Sequence, residues 1–285
     1  MSKNIVLVGG PSSGKSNYIA RLWVSLSNNE GRLLAPTTPD KIDYVEKLVS
    51  HLLAGKFAPR SDPSLEELGH DLVVDVQVRD SNPLISASLV VPDVLGEVWK
   101  KAVANSELAQ QWYDTLSETS AALLFVRAHS EDNFDALDWV TAGELLGAGL
   151  GEKAAANEIP TQVALCELLR MLENLLTKEA GRPRVAVVVA AWDSLDKTGR
   201  ASPPIKYLET QFPLFAGRLR DTLDVDVRIF GLSVVGGDLS IPAFRDKLLV
   251  SGIPGNGLVV FEEDGKVVED KDVTVPIQWL LKRQP

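Results

Sequence analysis

Near the amino terminus, the segment Gly9-Gly10-Pro11-Ser12-Ser13-Gly14-Lys15-Ser16 sets a glycine, four intervening residues and then Gly-Lys-Ser in a row. Residue types at this spacing hold phosphate. Glycines permit backbone angles in which successive amides point into one concavity, and a helix starting at the lysine adds the partial positive charge of its N-terminus. Lys15 supplies a point charge to the terminal phosphates, and the Ser16 hydroxyl supplies a ligand for Mg²⁺. The candidate nucleotide contacts of this segment are Gly9, Pro11, Ser12, Ser13, Gly14, Lys15, Ser16 and Asn17. The 285-residue chain carries 29 Lys and Arg against 39 Asp and Glu, a net charge of −10. That balance excludes a nonspecific grip on nucleic acid or an anionic membrane, so phosphate must be held locally.

Such a loop works only between a strand and a helix. Ile5–Val8 is a β-branched run directly before it, and Lys15–Leu26 has helical spacing directly after it. Further strand-like runs are Leu72–Val78, Ile85–Val91, Ala122–Val126, Val185–Ala191 and Val227–Gly231, which makes six. Val185–Val189 shows no polar alternation and reads as a strand covered on both faces, whereas Asp71–Arg79 alternates like an edge strand or hairpin. Between them, Asp40–Leu53, Glu97–Leu116, Pro160–Lys178 and Ile205–Leu223 carry helical spacing. The expected architecture is a three-layer α/β/α fold around a mixed, mostly parallel six-stranded sheet. It forms one domain with insertions near residues 28–69, 141–158 and 239–272. Thr141–Glu158 has four glycines and reads as a mobile insertion. Asp264-Gly265 marks a hairpin, and the acidic residues Glu262, Glu263, Glu269, Asp270 and Asp272 around it read as a solvated surface.

Other chemistries find little support. The single cysteine, Cys166, excludes a disulfide framework and reads as a buried apolar thiol. His51, His70 and His129 lack ligand spacing, and the six tryptophans read as packing residues, with Trp192 bordering a base pocket. No apolar run approaches the roughly 20 residues that span a bilayer, and no signal peptide is apparent, so a cytoplasmic location is expected.

The sequence after the loop resembles the translation-factor and Ras-like branch of P-loop GTPases in the order of its motifs. Asp93-Val94-Leu95-Gly96 follows the strand ending at Val91, as the family's DxxG does. The resemblance implies that Asp93 holds a magnesium-bound water and that the Gly96 amide turns to the γ-phosphate. Arg32–Pro39 lies where the family has its first switch. Thr38 as metal ligand, or Thr37 in its place among the catalytic groups, would then complete the site, and the alternative is that Thr38 caps the helix near Asp40. Arg32 is either an arginine finger, as in heterotrimeric G-protein α subunits, or a solvated side chain. Ala190-Ala191-Trp192-Asp193 stands where the family has NKxD. Asp193 would accept hydrogen bonds from guanine, with Asp196 as fallback, and the missing Asn and Lys imply weaker, micromolar-range binding. Ser233 matches the family's SAx position. Glu97 stands where a glutamine often orients the attacking water, which implies slow hydrolysis. The end of the chain, Thr274–Leu281, resembles bacterial double-GTPase-type proteins associated with conflict and defence gene clusters.

These readings make the chain a regulatory protein that binds GTP or GDP with Mg²⁺. Segments 32–40 and 93–116 would signal to a protein effector or activator. The alternatives are a P-loop ATPase or small-molecule kinase, and an interaction subunit that keeps the fold but scarcely hydrolyses.

Overall fold

Parallel strands need crossover helices, and the sequence alternates the two from end to end. The structure, a computed structural model, describes residues 3–39, 41–59, 72–91, 97–134, 159–179 and 181–282. Its strands are β1 (Lys3–Val8), β2 (Leu33–Leu34), β3 (Leu72–Val78), β4 (Ser86–Val91), β5 (Thr119–Arg127), β6 (Arg184–Ala190), β7 (Asp226–Ser233), β8 (Leu258–Glu263) and β9 (Lys266–Asp270). They form one sheet in the order β2-β3-β4-β1-β5-β6-β7-β8-β9. The middle five, β4-β1-β5-β6-β7, are parallel, and the pairs outside them are antiparallel.

Nine strands replace the six expected. β2 has two residues, too few to show a period. The hairpin at Asp264-Gly265 is present, but it continues the sheet by pairing Phe230 of β7 with Phe261 of β8. Stretches taken for insertions therefore build both margins of the sheet, while segment 141–158 lies outside the described residues.

The helices are α1 (Lys15–Ser27), α2 (Ile42–Leu53), α3 (Glu97–Asn105), α4 (Gln110–Ser117), α5 (Thr161–Leu175), α6 (Lys197–Ala201), α7 (Pro204–Gln211), α8 (Pro213–Asp221), α9 (Pro242–Ser251) and α10 (Val275–Leu281). Two long helical stretches are each split. Glu97–Leu116 breaks at Ser106, whose φ of +55° leaves the helical region. Ile205–Leu223 breaks before Pro213, because a residue preceding proline is driven to extended angles, and Phe212 has φ −136° and ψ 60°. Pro213 then starts α8 at the position where its missing N–H costs nothing.

Alternate residues of each central strand face opposite layers. Ile5, Leu7, Leu123, Phe125, Ala186 and Val188 pack with α1, α2 and α10. Val6, Val8, Leu124, Val185, Val187 and Val189 pack with α3, α5, α7 and α8. Both layers are dry, which is why these strands show no polar alternation. Buried side chains such as Ile19, Leu22 and Leu26 fix α1 on the sheet, each contributing about 1.5–3 kcal/mol. Among the described residues no helix is long and apolar enough to cross a membrane.

Candidate functional site

The carboxyl ends of β1, β5, β6 and β7 lie side by side, because Val8 pairs with Leu124, Arg127 with Ala190, and Ala190 with Leu232. The loops leaving these ends therefore share one edge of the sheet, the place where ligands bind in open α/β sheets.

The phosphate loop joins β1 to α1. Gly9 crosses so close to β5 that a Cβ there would lie 2.9 Å from the Phe125 carbonyl oxygen. Gly14, with φ +102°, makes the turn into α1. Lys15 is 2% exposed and folds back into the loop. Its ammonium donates to the Gly9 carbonyl at 2.6 Å, the Gly10 carbonyl at 2.9 Å and Ser13 Oγ at 3.3 Å. Phosphate oxygens can take over those bonds without moving the lysine far. Ser16 is half-buried at the second position of α1. The Asn17 amide oxygen instead accepts the Ala58 N–H at 3.0 Å, tying the chain after α2 to α1.

The last residue of β6, where the next loop begins, touches the phosphate loop directly. A Cβ on Gly14 would lie 2.9 Å from that of Ala190, so the two backbones are in contact. Ala191 takes left-handed angles, φ 56° and ψ 38°, and a 3₁₀ turn over Trp192–Ser194 follows. Asp193 is half-buried there and makes no hydrogen bond within the described residues. Asp196 is committed elsewhere, capping α6 by accepting the Gly199 N–H at 2.7 Å. Beside Ala191, Ser233 ends β7 fully buried, and its Oγ accepts the Gly236 N–H at 2.9 Å. Its side chain thus holds the turn that leaves β7.

The first-switch candidates are placed differently. Thr37 is exposed and donates to Asp75 Oδ2 at 2.9 Å, while Ser88 holds Asp75 Oδ1 at 2.7 Å. Thr38 is exposed. Arg32 is not a plain solvated arginine. Its guanidinium pairs with Asp270 at 2.7 Å and Asp272 at 3.0 Å. This also corrects the reading of those two aspartates as solvated surface, since their side chains are 22% and 11% exposed. An arginine held by two carboxylates must break both bonds before it can reach a phosphate. Asp93 and Gly96 lie outside the described residues, as does the side chain of Glu97 at the start of α3.

A family model described as Double-GTPase 1 matches residues 6–280. The chain belongs to that family. The resemblance to P-loop GTPases is thereby borne out, and with it a GTP-binding P-loop fold. No curated protein matches the chain. Among solved structures, the Saccharomyces cerevisiae Ski7 GTPase-like domain bound to GTP is 13% identical, covering 90% of this chain and 50% of its own, with a TM-score of 0.46. A bacterial selenocysteine-specific elongation factor is also 13% identical, covering 90% of this chain and 30% of its own, with a TM-score of 0.36. The Trypanosoma brucei Arl6 small GTPase with bound GppNp is 10% identical, covering 88% of this chain and 96% of its own, with a TM-score of 0.36. The chain spans about half the length of the first of these and less than a third of the second.

In this Double-GTPase, sequence reasoning missed how the loop after β6 is held. Trp192 is fully buried beneath the loop and packed on Gly231 of β7. The one available signal was a glycine inside a strand, which marks close approach of another group.

Proposed function

We propose that the chain is a regulatory GTP-binding protein that hydrolyses GTP slowly with Mg²⁺. Its segments 32–40 and 93–116 report the bound nucleotide to a protein partner. The observation that carries this reading is Lys15, held inside a glycine-bounded concavity whose rim touches the loop bearing Asp193.

The donor set fits the nucleotide and the ion. The ammonium already sits among three oxygens, and a Cβ at Gly9 or Gly14 would fill the cradle. The Ser16 hydroxyl makes no hydrogen bond within the described residues and is open to a cation. Ser16, Thr38 and Asp93 are the residues assigned to Mg²⁺, which supplies positive charge that this acidic chain lacks and shields the triphosphate. Gly9–Asn17 orient the phosphates. Asp193 accepts from the ring N–H and amino group of guanine, a pattern that adenine cannot satisfy, and the loop after Ser233 offers a backbone amide to the guanine carbonyl. Gly96 is the residue assigned to the γ-phosphate through its amide. Glu97, where the family often has glutamine, would add negative charge and could not donate to water as an amide can, which would keep hydrolysis slow.

Calorimetric titration with GDP, a GTP analogue, ADP and an ATP analogue, each with and without Mg²⁺, tests the reading. Guanine nucleotides are expected to bind in the micromolar range and to outcompete adenine nucleotides, and Lys15→Ala should remove binding. Equal affinity for ATP would favour the ATPase or kinase alternative. Unchanged affinity in Lys15→Ala would remove the assignment altogether.

A further inference from the structure

The family pattern NKxD ties the base-reading loop with the side chains of Asn and Lys, and here both positions are alanine. Something else must hold Asp193 in place, because a loop free to move pays ordering entropy at every binding event. We propose that Trp192 is the positioning residue for Asp193, anchoring the loop by burial where hydrogen-bonding side chains are missing. This deepens the guanine-binding reading and rests on it.

Trp192 is 0% exposed and is among the largest fully buried side chains of the chain. The left-handed step at Ala191 turns the chain so that this one side chain enters the layer under β6 and β7, while Asp193 stays at the rim. The indole lies flat on the space left by Gly231. A Cβ there would come within 2.4 Å of Trp192 Cδ2 and 2.7 Å of Cε3, so β7 must carry glycine at this point for reasons of space alone. The indole Nε1 donates to the Arg200 carbonyl at 3.2 Å, which satisfies its buried N–H. The Tyr207 ring meets the indole edge-on at 6.2 Å, and the Tyr207 hydroxyl accepts the His129 N–H at 3.1 Å. One side chain therefore ties the loop to β7, α6 and α7, and through Tyr207 to the chain just after β5. Asp193 is bonded covalently to the most constrained residue of the loop, and its Cα inherits that constraint.

The test uses the full chain and three ligands that separate phosphate from base recognition. These are GDP, inosine diphosphate, which lacks the amino group that a carboxylate would accept, and inorganic tripolyphosphate, which engages the phosphate loop only. In Trp192→Leu, GDP affinity should fall about tenfold and the preference for GDP over inosine diphosphate should shrink toward one, with tripolyphosphate binding unchanged. Trp192→Phe, which keeps a ring in the core and removes the bond to Arg200, should give a smaller fall in the same ratio. Gly231→Ala, which never faces the nucleotide, should reproduce the loss by pushing the indole out. A loss of tripolyphosphate binding in parallel with GDP would mark a merely structural role and overturn the proposal. So would an unchanged GDP preference in Trp192→Phe and Gly231→Ala. If the unaltered chain shows no preference for GDP over ADP, the guanine reading itself has failed, which is a distinct result from either.

Discussion

Replacing Asp272 with alanine should destabilise the chain far more than its place in a polar segment near the carboxyl end implies. Its carboxylate accepts four hydrogen bonds: from the Arg32 N–H at 2.9 Å and guanidinium at 3.0 Å, and from the Thr274 N–H at 2.9 Å and hydroxyl at 2.6 Å. Alanine leaves the Thr274 N–H in a mostly buried site without this acceptor, at about 1–3 kcal/mol, while the Arg32 N–H keeps a longer bond to Thr274 Oγ at 3.3 Å and loses about 0.5–1.5 kcal/mol. The guanidinium, 42% exposed and still paired with Asp270, adds only about 0–1 kcal/mol. The total is about 3 kcal/mol. At roughly 2–4 °C per kcal/mol for a chain of this size, the midpoint of thermal unfolding should fall by about 6–12 °C. Circular dichroism of the full chain at pH 7 measures this. Arg32→Met should cost much less, because the backbone donors keep their acceptor, and Asp272→Asn should lie between. The reasoning fails if Asp272→Ala melts within about 2 °C of the unaltered chain, or if Arg32→Met is the more damaging change.

The same clasp gives an acid sensitivity. Burial alone would raise the Asp270 carboxyl, but hydrogen bonds from Arg32 and the Asp272 N–H, with the Arg32 charge, outweigh it and hold the group below its ordinary 3.8. A depressed carboxyl contributes stability that is complete above its unfolded value and is lost as pH falls through the folded one. Unfolding midpoints from pH 6 down to pH 2 should fall less steeply in Asp270→Asn, and parallel curves would contradict this. Arg21 is 1% exposed, lies 4.0 Å from Glu30 and has an unpartnered buried Nε, and its guanidinium is lowered chiefly by burial, against the pull of Glu30 and Asp272. Arg21→Met should therefore melt no lower than the unaltered chain, while Arg21→Ala, which leaves a cavity, should lose about 2–4 kcal/mol. Equal losses would show the charge itself to be stabilising. Gly14→Ala meets both a φ of +102° and the Ala190 Cβ at 2.9 Å, so GDP affinity should fall at least about tenfold in a calorimetric titration. Adding Ala190→Gly should recover part of the loss, and no recovery would mean that the contact between the two loops is unimportant.

What was legible in the sequence was local. The phosphate loop is eight consecutive residues whose chemistry needs nothing distant, and β6 announces itself because Val185–Val189 must be apolar on both faces. Asp193 could be nominated from sequence because it directly follows the β6 run, which the structure places as a strand. What was illegible depends on partners far along the chain. Arg32 meets Asp270 and Asp272 across 238 and 240 residues, and no local pattern distinguishes such carboxylates from solvated ones. β2 shows no period in two residues, and the β8–β9 hairpin reveals its turn but not the strand it joins. The anchoring of the base loop was hidden for a different reason. A buried tryptophan and an alanine are both ordinary core residues, and only their contacts with Gly231 and Gly14 give them a role at the site.

These constraints also decide which part of the proposed first switch is free to respond to nucleotide. β2 is the outermost strand and holds on by two residue pairs, Leu33 with Val78 and Leu34 with Gln77, so the ladder alone would fray readily. On its amino-terminal side, however, Gly31 lies so close to Asp272 that a Cβ would overlap the carboxylate, and Arg32 is gripped through both backbone and side chain. Leu33 is fully buried just beyond. On the other side, among the described residues, Ala35 packs against the core and Pro39 is buried, while Pro36, Thr37 and Thr38 are exposed; Thr37 is held by its bond to Asp75, a partner that an exposed neutral donor exchanges at little cost. In the proposed switch the segment left to respond is therefore Pro36–Thr38, between Ala35 and Pro39. A threonine moving toward a metal-bound nucleotide has to release Asp75 first, and Asp75 keeps the Ser88 hydroxyl when it does. Because the clasp reaches α1 through the Tyr18 hydroxyl, which donates to the Val273 carbonyl at 3.1 Å, the fixed end of this switch is tied to the helix that carries Lys15. β2 and the phosphate loop thus share one support, and in the proposed reading a displacement of Pro36–Thr38 is a displacement relative to the bound nucleotide.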